Sequence, residues 1–381
     1  MSPYVPFPAP RLVGAEVERL KRVCIVQPIL TNYRLPVFRE LAEHCHVDVV
    51  HSIGKGDSGF GEPEAVESPN LRFICVPTLR PFDDKLGMYQ WGLARYIRRE
   101  RPDAIIHWVN PRYLSFWTTL MWGRLLGIPV YGHGHGVYKK QRISWAYRQM
   151  MRLLLKLVAS YICYAPFVRE SFVRQGFDGR KLSVADNSAI NTCPVRPEEK
   201  TGTERGVLFI GRLRAGCNVS LLIRAIERIR NTDGVPVTLQ VIGTGDEQEA
   251  LRTEAAARPW VTLHGELYDA GRIREISRDC AVGCYPGNAG LSVVHLMSLS
   301  LPVITHDDLP GHSGPEPSFV RNGVSGVLYD HRRPEEALYN ALRGLIGDPA
   351  ALHRMRSAAF LDYEELVHPT LASRLWAILG R

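Results

Sequence analysis

The sequence predicts an α/β protein with two Rossmann-like, doubly wound domains that face a central cleft. Short β-branched runs alternate with helical stretches in the first half, which is typical of βαβ units around a parallel sheet. A polar, proline-bearing stretch at 191–205 interrupts this pattern, and the alternation then restarts. A length of 381 residues suits two domains of roughly 100–200 residues each. Ligands are expected where the carboxyl ends of the two sets of strands meet.

Each predicted element follows from a local pattern of apolar residues. Strands of the first half are expected at 23–26, 47–51, 73–76, 104–107, 130–132, 161–164 and 182–184. Helices between them are expected at 36–43, 92–100 and 114–126. Strands of the second half are expected at 207–211, 237–242, 261–264, 281–285, 302–305 and 327–329. Helices of that half are expected at 219–230, 247–257, 335–346, 350–361 and 370–379.

These elements predict an order of domains along the chain. The expected segments are an N-terminal extension (1–20), an N-terminal acceptor domain (21–190), a linker (191–205), a C-terminal donor domain (206–366) and a C-terminal helix (367–381). The last helix is expected to pack back on the first domain.

Positive charge is concentrated in the first half. Residues 1–190 carry 26 Lys and Arg against 16 Asp and Glu, whereas the remainder carries 21 against 23, for a net charge of +8. The basic half predicts an anionic partner such as phosphate, nucleic acid or an anionic membrane; compositional drift is the alternative. No helix-turn-helix, zinc-finger or RNP pattern is present, so nucleic acid is not expected to be a partner.

Cysteine usage and hydropathy predict a cytoplasmic protein. Four of the eight cysteines lie in apolar strand-like runs, which predicts buried thiols in a reducing compartment: Cys24, Cys75, Cys163 and Cys284. No apolar run approaches the ~18–20 residues that span a bilayer, and the first 20 residues lack the apolar core of a secretion signal.

Two motifs of the second half predict an anion site. The run VLFIGR ends a strand at Gly211, and the following Arg212 could fork onto phosphate oxygens. The run YPGNAGLSVVHLMSL at 285–299 leads a glycine-rich turn into a helix, whose first amides favour an anion, with His295 one turn further on. The alternatives are a solvated arginine at a strand end and an ordinary βα turn with a half-buried histidine.

Two motifs of the first half are expected at the same cleft. The run VYGHGHGVY at 130–138 places His133 and His135 between glycines at a strand end, where they could bond a sugar hydroxyl or a phosphate; a plain turn is the alternative. An irregular loop at 32–34 follows the first strand. No metal is expected, because neither Asp-x-Asp nor H-E-x-x-H occurs.

These motifs, taken in order, resemble the family-4 glycosyltransferases with the GT-B fold. In the second half the resemblance rests on GRL (211–213), VIGTG (241–245), VTLHGEL (261–267), PGNAGLSVVHLMSLSLPVITH (286–306) and NGVSGVLYD (322–330). In the first half it rests on QPILTNYRLPVFREL (27–41), NPRYLSFW (110–117) and YGHGHG (131–136). It covers about residues 21–380.

The resemblance implies a retaining, metal-independent transfer from a nucleotide sugar, with no cofactor. It implies a diphosphate held by Arg212 and the amides at 290–292, and a donor sugar contacted by His133. The expected catalytic residues are His133, Arg212 and His295. The expected donor-binding residues are Gly211, Arg212, Cys217, Leu267, Gly287, Asn288, Gly290, Leu291, Ser292, His295 and Glu316. The expected acceptor-side residues are Asn32, Tyr33, Arg34 and His135.

Two features depart from the family pattern. The family usually has a lysine five residues after the arginine, where this chain has Cys217; Arg214 could supply the missing charge. The family's two glutamates, with seven residues between them, fall on Gly287 and His295. Some members have a Gly-Asn-x-Gly-Leu turn at this place followed by a carboxylate, and Glu316 is the candidate for it.

The stretch 139–158 predicts contact with an anionic membrane, because basic residues surround Trp, Tyr, Met and Leu at helical spacing. A helix that covers the sheet with a solvated basic face is the alternative.

The leading hypothesis is therefore a hexosyltransferase-type enzyme that extends a lipid-linked or polysaccharide acceptor in cell-surface glycan biosynthesis. It would act in the cytoplasm at the inner face of the plasma membrane. A weakened or inactive GT-B relative that serves as a scaffold or regulatory partner is the first alternative. A basic RNA-binding protein and a non-hydrolysing sugar epimerase are further alternatives, although no acid/base carboxylate pair supports the epimerase.

Overall fold

A computed structural model describes residues 22–52, 68–79, 87–140 and 142–380. The predicted N-terminal extension at 1–20 lies outside these residues. Two parallel β-sheets organise the described chain, one in each half. The α/β fold predicted from the sequence is confirmed.

The first half forms a seven-stranded sheet and a two-stranded ribbon. Its strands are β1 (Arg22–Ile29), β2 (His46–Ser52), β3 (Leu71–Cys75), β4 (Thr78–Leu79), β5 (Tyr89–Gln90), β6 (Ala104–Trp108), β7 (Val130–Gly134), β8 (Tyr161–Cys163) and β9 (Leu182–Val184). Its helices are α1 (Leu35–Leu41), α2 (Leu93–Glu100), α3 (Leu114–Leu126), α4 (Trp145–Leu157) and α5 (Pro166–Arg174). The sheet order is β3-β2-β1-β6-β7-β8-β9 with all neighbours parallel, and β4 and β5 form the antiparallel ribbon.

The second half forms a six-stranded sheet. Its strands are β10 (Gly206–Ile210), β11 (Thr238–Ile242), β12 (Val261–Gly265), β13 (Cys280–Cys284), β14 (Val303–His306) and β15 (Gly326–Tyr329). Its helices are α6 (Val219–Arg228), α7 (Gln248–Ala255), α8 (Ala270–Arg278), α9 (Ser292–Ser298), α10 (Pro334–Ile346), α11 (Pro349–Val367) and α12 (Leu371–Leu379). The sheet order is β12-β11-β10-β13-β14-β15, again all parallel.

Both sheets are wound in two directions from a central strand. The chain moves outward from β1 to β3 and then returns to the other side of β1 with β6; β10, β11, β12 and β13 repeat this path. Apolar residues of α2 to α5 cover one face of the first sheet, and α1 with α12 covers the other. Loops at the carboxyl ends of the strands next to this reversal border the ligand site in doubly wound folds.

The C-terminal helix α12 returns to the first domain. The ring of Trp376 stacks on His44 with centroids 5.3 Å apart, and Ser373 Oγ donates to Glu40 Oε1 at 3.0 Å. Arg374 pairs with Asp186 at 2.6 Å. These contacts hold α12 against the first domain.

The stretch at 191–205 is held against the second domain. Val195 is fully buried, and Lys200 Nζ donates to the carbonyl oxygen of Cys280 at 3.0 Å. Glu204 forms a buried ion pair of 3.1 Å with Arg356 of α11. The polar residues that mark this stretch in the sequence therefore make structural contacts.

Two local expectations are wrong. Helix α11 continues to Val367 instead of ending at 361, because Leu366 and Val367 are still buried. Cys75 is exposed, because its strand β3 lies at the edge of the sheet. All eight cysteines are free thiols.

Candidate functional site

Glycines let the loops at the carboxyl end of the second sheet pack closely around Arg212. A Cβ atom at Gly243, whose φ is +136°, would lie 1.9 Å from the carbonyl oxygen of Gly211. The Leu213 amide donates to the Thr244 carbonyl oxygen at 2.8 Å. Arg212 lies between these contacts, half-exposed, at the end of β10. The ends of β10 and β11 thus form the close-packed base from which Arg212 extends.

The backbone at Gly287 has no room for a side chain. The Asn288 amide donates to the carbonyl oxygen of Gly216 at 2.8 Å, which draws the loop after β10 onto the loop after β13. A Cβ atom at Gly287 would lie 1.9 Å from that same oxygen and 2.8 Å from the carbonyl carbon of Cys217. The missing carboxylate at Gly287 is therefore a consequence of how these two loops pack.

The Cys217 thiol is buried and bonded to a carboxylate. Its Sγ donates to Glu247 Oε2 at 3.3 Å, and burial raises the pKa of the thiol. The thiol borders a cavity of about 440 Å³ between the starts of α6, α7 and α10. Cys217 is thus neutral near pH 7 and replaces no part of the charge of the family's lysine.

A histidine that the sequence did not single out holds the glycine-rich turn. The Ala289 amide donates to His312 Nδ1 at 3.1 Å, so the ring carries its proton on Nε2, which donates to the His306 carbonyl oxygen at 2.9 Å. The two imidazoles stack with centroids 3.7 Å apart. Burial lowers the pKa of His312 to about 4, which keeps Nδ1 free to accept. The only sequence signal for this role is that His312 lies close to Glu316.

Ser313 connects the turn to cations of both domains. Its Oγ donates to the Asn288 carbonyl oxygen at 2.8 Å and accepts from Arg214 Nη2 at 2.5 Å. Its carbonyl oxygen accepts from Nζ of Lys139, a residue of the first domain, at 3.0 Å. Lys139 therefore belongs to the cleft, and the prediction that places it on a membrane-facing helix is wrong because α4 begins only at Trp145.

His133 and His135 flank Tyr164 at the cleft edge of the first sheet. Their ring centroids lie 4.4 and 4.9 Å from that of Tyr164, edge to face. Burial lowers the pKa of His133 well below its usual range and that of His135 to about 4, and the nearby Arg34 adds to both effects. Within the described chain, His133 Nε2 is a buried atom with no hydrogen-bond partner. It can therefore bond a ligand as a neutral imidazole.

The glycines of this segment serve the core of the first domain. A Cβ atom at Gly132 would lie 2.8 Å from Val109, and one at Gly136, whose φ is +65°, would lie 2.5 Å from Phe172. Close packing of the chain on its own side chains accounts for these two glycines.

Arg34 is a buried link between the domains, whereas its neighbours Asn32 and Tyr33 are exposed. Its Nη2 donates to Asn187 Oδ1 at 2.5 Å, and its guanidinium carbon lies 5.4 Å from the ring centroid of Tyr33. Asn187 in turn donates from Nδ2 to Glu316 of the second domain. The loop predicted to face an acceptor thus contributes its arginine to an interdomain chain of hydrogen bonds.

Glu316 places a buried carboxylate beside the glycine-rich turn. Its Oε1 accepts from Asn187, whereas Oε2 has no hydrogen-bond partner in the described chain. A Cβ atom at Gly290 would lie 3.7 Å from that oxygen, and one at Gly314 only 1.9 Å from it. Burial raises the pKa of Glu316, opposed by the bond from Asn187 and by the charges of Arg34 and Lys139. The carboxyl group can therefore bond a ligand hydroxyl.

The remaining predicted residues belong to the start of α9 and to the loop after β12. Leu291 and Ser292 start α9 next to Gly290, and Leu267 follows β12 and packs on the domain core. His295 is half-buried on α9, and burial lowers its pKa to about 4. No hydrogen bond found in the described chain joins Leu267 or His295 to Ser313 or Glu316. The structure therefore brings Arg34, His133, His135, Glu316 and the turn at 287–290 together.

One group of described side chains could hold a metal ion. Ligand atoms of Asp307, Asp330 and His331 lie within 4.8 Å of one another at the protein surface. His331 Nδ1 and Asp307 Oδ1 are already hydrogen-bonded at 2.7 Å. The group lies beyond β14 and β15 and includes none of the predicted site residues.

Two family models match the chain. The model described as Glycosyltransferase Family 4 matches residues 31–188, and the model described as Glycosyl transferases group 1 matches residues 204–348. A search of curated protein sequences found no significant match.

Solved structures of similar fold extend over nearly the whole chain. HepE of Anabaena, crystallised with UDP, is 14% identical over 93% of this chain and 97% of its own, with a TM-score of 0.68. TarM is 12% identical over 95% and 99%, with a TM-score of 0.67. The pneumococcal O-GlcNAc transferase GtfA, in complex with UDP and GlcNAc, is 10% identical over 95% and 99%, with a TM-score of 0.65. At these identities the likeness concerns the fold, which is the predicted GT-B architecture.

Proposed function

The chain belongs to the family-4 glycosyltransferases, and on that premise we propose that it transfers a hexose from a nucleotide sugar to a glycan acceptor, with retention and without a metal. The observation that carries this proposal is the junction of the two domains at the glycine-rich turn. There Arg214 and Lys139 reach Ser313, while Glu316 and His133 each offer a buried polar atom without a partner in the described chain.

The diphosphate of the donor would lie along the turn at 287–292. Arg212 would bind it from the end of β10, and the first amides of α9 would bind it from the other side. Positive charge and N–H dipoles fixed before the reaction stabilise the negative charge that develops on a leaving diphosphate. Two structures of similar fold have UDP as their ligand, so UDP is the first nucleotide to try.

The sugar would lie between His133 and Glu316. Gly287 has no carboxylate to bond its hydroxyls, and Glu316 approaches the same turn from the loop after β14 with Oε2 directed at Gly290. His133, which is neutral near pH 7, would bond the sugar from the first domain. The two groups would fix the sugar for attack from the acceptor side.

A lipid-linked acceptor would reach the cleft from the first domain, which carries the surplus of positive charge. Helix α4 buries Met151, Leu154 and Leu155 and turns the other face to solvent. That face combines Trp145, 75% exposed, and Leu153, 50% exposed, with the exposed basic side chains of Arg152 and Lys156. No helix within the described ranges has the length and hydropathy to cross a bilayer. We place the proposed contact at the inner face of the plasma membrane, as a peripheral contact through the exposed face of α4.

Replacement of two exposed apolar residues of α4 with glutamate tests the membrane contact. We expect the double variant Trp145→Glu/Leu153→Glu to bind vesicles of phosphatidylglycerol at least roughly tenfold more weakly than the wild type, because two exposed apolar side chains no longer enter the interface. Sedimentation of protein with vesicles measures this. Leu361→Glu, on a leucine of the second domain that is 60% exposed, is the control. Equal binding by all three proteins would contradict the membrane contact.

Thermal unfolding with UDP, GDP, ADP, TDP and CMP, without metal, tests the donor. A nucleotide at ~100 times its dissociation constant adds about 2.7 kcal/mol to the free energy of unfolding, which raises the melting temperature by several degrees. We expect one nucleotide to do so. If none does, the proposed donor site is wrong, and a GT-B scaffold that acts through a protein partner becomes the better hypothesis.

Removal of Arg212 is expected to abolish most of the activity. Arg212→Ala should release nucleoside diphosphate from the sugar nucleotide about 10²- to 10³-fold more slowly, because a fixed donor to the leaving group is lost. The control is Arg224→Ala, which removes an exposed ion pair between α6 and Glu335 at the start of α10. Comparable rates for the two variants would exclude Arg212 from the diphosphate site.

A further inference from the structure

Lys139 crosses from the first domain to a serine of the second domain that also binds an arginine. Its Nζ donates to the Ser313 carbonyl oxygen at 3.0 Å, and Arg214 Nη2 donates to Ser313 Oγ at 2.5 Å. Both side chains are exposed to the solvent of the cleft. Two cationic side chains from different domains thus donate hydrogen bonds to Ser313, an uncharged residue that a ligand can approach.

Ser313 is part of the glycine-rich turn region. Its amide donates to the Ala289 carbonyl oxygen at 2.9 Å, and its Oγ donates to that of Asn288 at 2.8 Å. A Cβ atom at Gly290 would lie 3.9 Å from Cβ of Ser313. The two cations therefore reach the turn along which the diphosphate of the donor is proposed to lie.

The charged and titratable groups around Lys139 give this part of the cleft a net positive charge. Desolvation and Arg214 lower the pKa of Lys139, and Glu316 opposes them. The carboxylate of Glu316 already accepts a hydrogen bond from Asn187. The nearby imidazoles of His135 and His312 are neutral near pH 7, because burial lowers the pKa of each to about 4. Two cations thus face one carboxylate, which favours an additional anion.

We propose that Lys139 and Arg214 form a clamp that binds the donor's diphosphate from both domains, and that the Lys139 ammonium provides the charge that Cys217 lacks. This inference rests on the proposed function and goes beyond it, because it names a residue of the first domain, Lys139, that binds the donor's diphosphate. Binding of the diphosphate between the two cations would hold the domains together around the donor. The nucleoside part, held elsewhere, would not depend on Lys139.

The neighbouring lysine provides a matched control. Lys140 Nζ lies 4.1 Å from the ring centroid of Tyr147 at the start of α4, so it has the same charge and chain position but another partner. Both side chains are exposed, so neither replacement by methionine should affect folding. Melting temperatures of the variants without ligand check this.

Calorimetric titration with UDP and with uridine tests the clamp. If thermal unfolding selects another base, the corresponding nucleoside diphosphate and nucleoside are used instead. We expect Lys139→Met to weaken binding of the diphosphate about 10- to 100-fold, the usual value of a charge-assisted hydrogen bond, and to leave nucleoside binding unchanged. Lys139→Arg should restore most of the affinity. Lys140→Met should change it by less than about twofold.

The possible failures are distinguishable. If the wild type binds the diphosphate and Lys139→Met binds it as tightly as Lys140→Met does, the clamp is wrong while the proposed function stands. If Lys139→Met weakens nucleoside and diphosphate equally, the role of Lys139 is structural and the clamp is again wrong. If the wild type binds no nucleoside diphosphate, the proposed function fails and the clamp fails with it.

Discussion

Acidification from pH 7.5 to 5.5 is expected to lower the protein's free energy of unfolding substantially. In the structure, burial lowers the pKa of His107, His135, His295 and His312 to about 4 and that of His133 in the same direction. The unfolded chain binds these protons near pH 6.5, so between pH 6.5 and about 4 it holds more protons than the folded chain does. Stability is therefore fully present above pH 6.5 and is lost as the pH falls.

The size of this effect is comparable to the stability of an ordinary domain. Each of the four histidines whose pKa is about 4 costs about 1.4 kcal/mol per pH unit in that range, and the four together cost about 5 kcal/mol, against the 5–15 kcal/mol typical of native proteins. Urea unfolding followed by tryptophan fluorescence at pH 7.5, 6.5 and 5.5 measures it. His107→Leu should flatten the dependence, whereas His353→Gln, at an exposed position, should not. A free energy of unfolding that stays constant down to pH 5.5 would contradict the buried neutral state of these imidazoles.

A glutamate at position 287, the residue usual in the family, is expected to inactivate the protein. The Cβ atom alone would lie 1.9 Å from the carbonyl oxygen of Gly216, a backbone atom that the Asn288 amide holds by a hydrogen bond of 2.8 Å. The two loops would have to separate, at a cost of about 3 kcal/mol or more. Since Arg214 and Ser313 are attached to these loops, the diphosphate site would be displaced as well.

Gly287→Ala separates the steric effect from the charge of glutamate. It should lower the melting temperature by several degrees and weaken nucleotide binding, because its methyl group makes the same contact. Gly344→Ala is the control: position 344 lies inside α10, where an added Cβ meets no atom within 4 Å, so this change should stabilise the protein slightly. Higher turnover in Gly287→Glu would show instead that the loop after β10 moves freely and that the active site has lost a carboxylate.

The fold could be predicted because it depends on patterns that are local in the chain. Buried parallel strands need continuous apolar runs, and the helices between them need one apolar face, so both sheets could be located from the sequence. The family resemblance, which the two family models confirm, depends on turns such as 286–292 that are likewise continuous. The prediction was wrong where burial in the folded protein determines the end of an element. Helix α11 extends to Val367 because Leu366 and Val367 still pack in the core.

Residue identity and local spacing determined which groups are available: an arginine after β10, a glycine-rich turn before α9, histidines after β7, and a cysteine and a glycine at two positions where the family has charge. Their partners were decided only by the tertiary structure. Lys139 and Ser313 are 174 positions apart, and Asn187 and Glu316 are 129 apart. Hydrogen bonds and desolvation act over a few ångströms in space whatever the separation along the chain. For that reason only the folded molecule assigns Lys139 to the cleft, gives His312 its role in holding the turn, and accounts for the glycine at position 287.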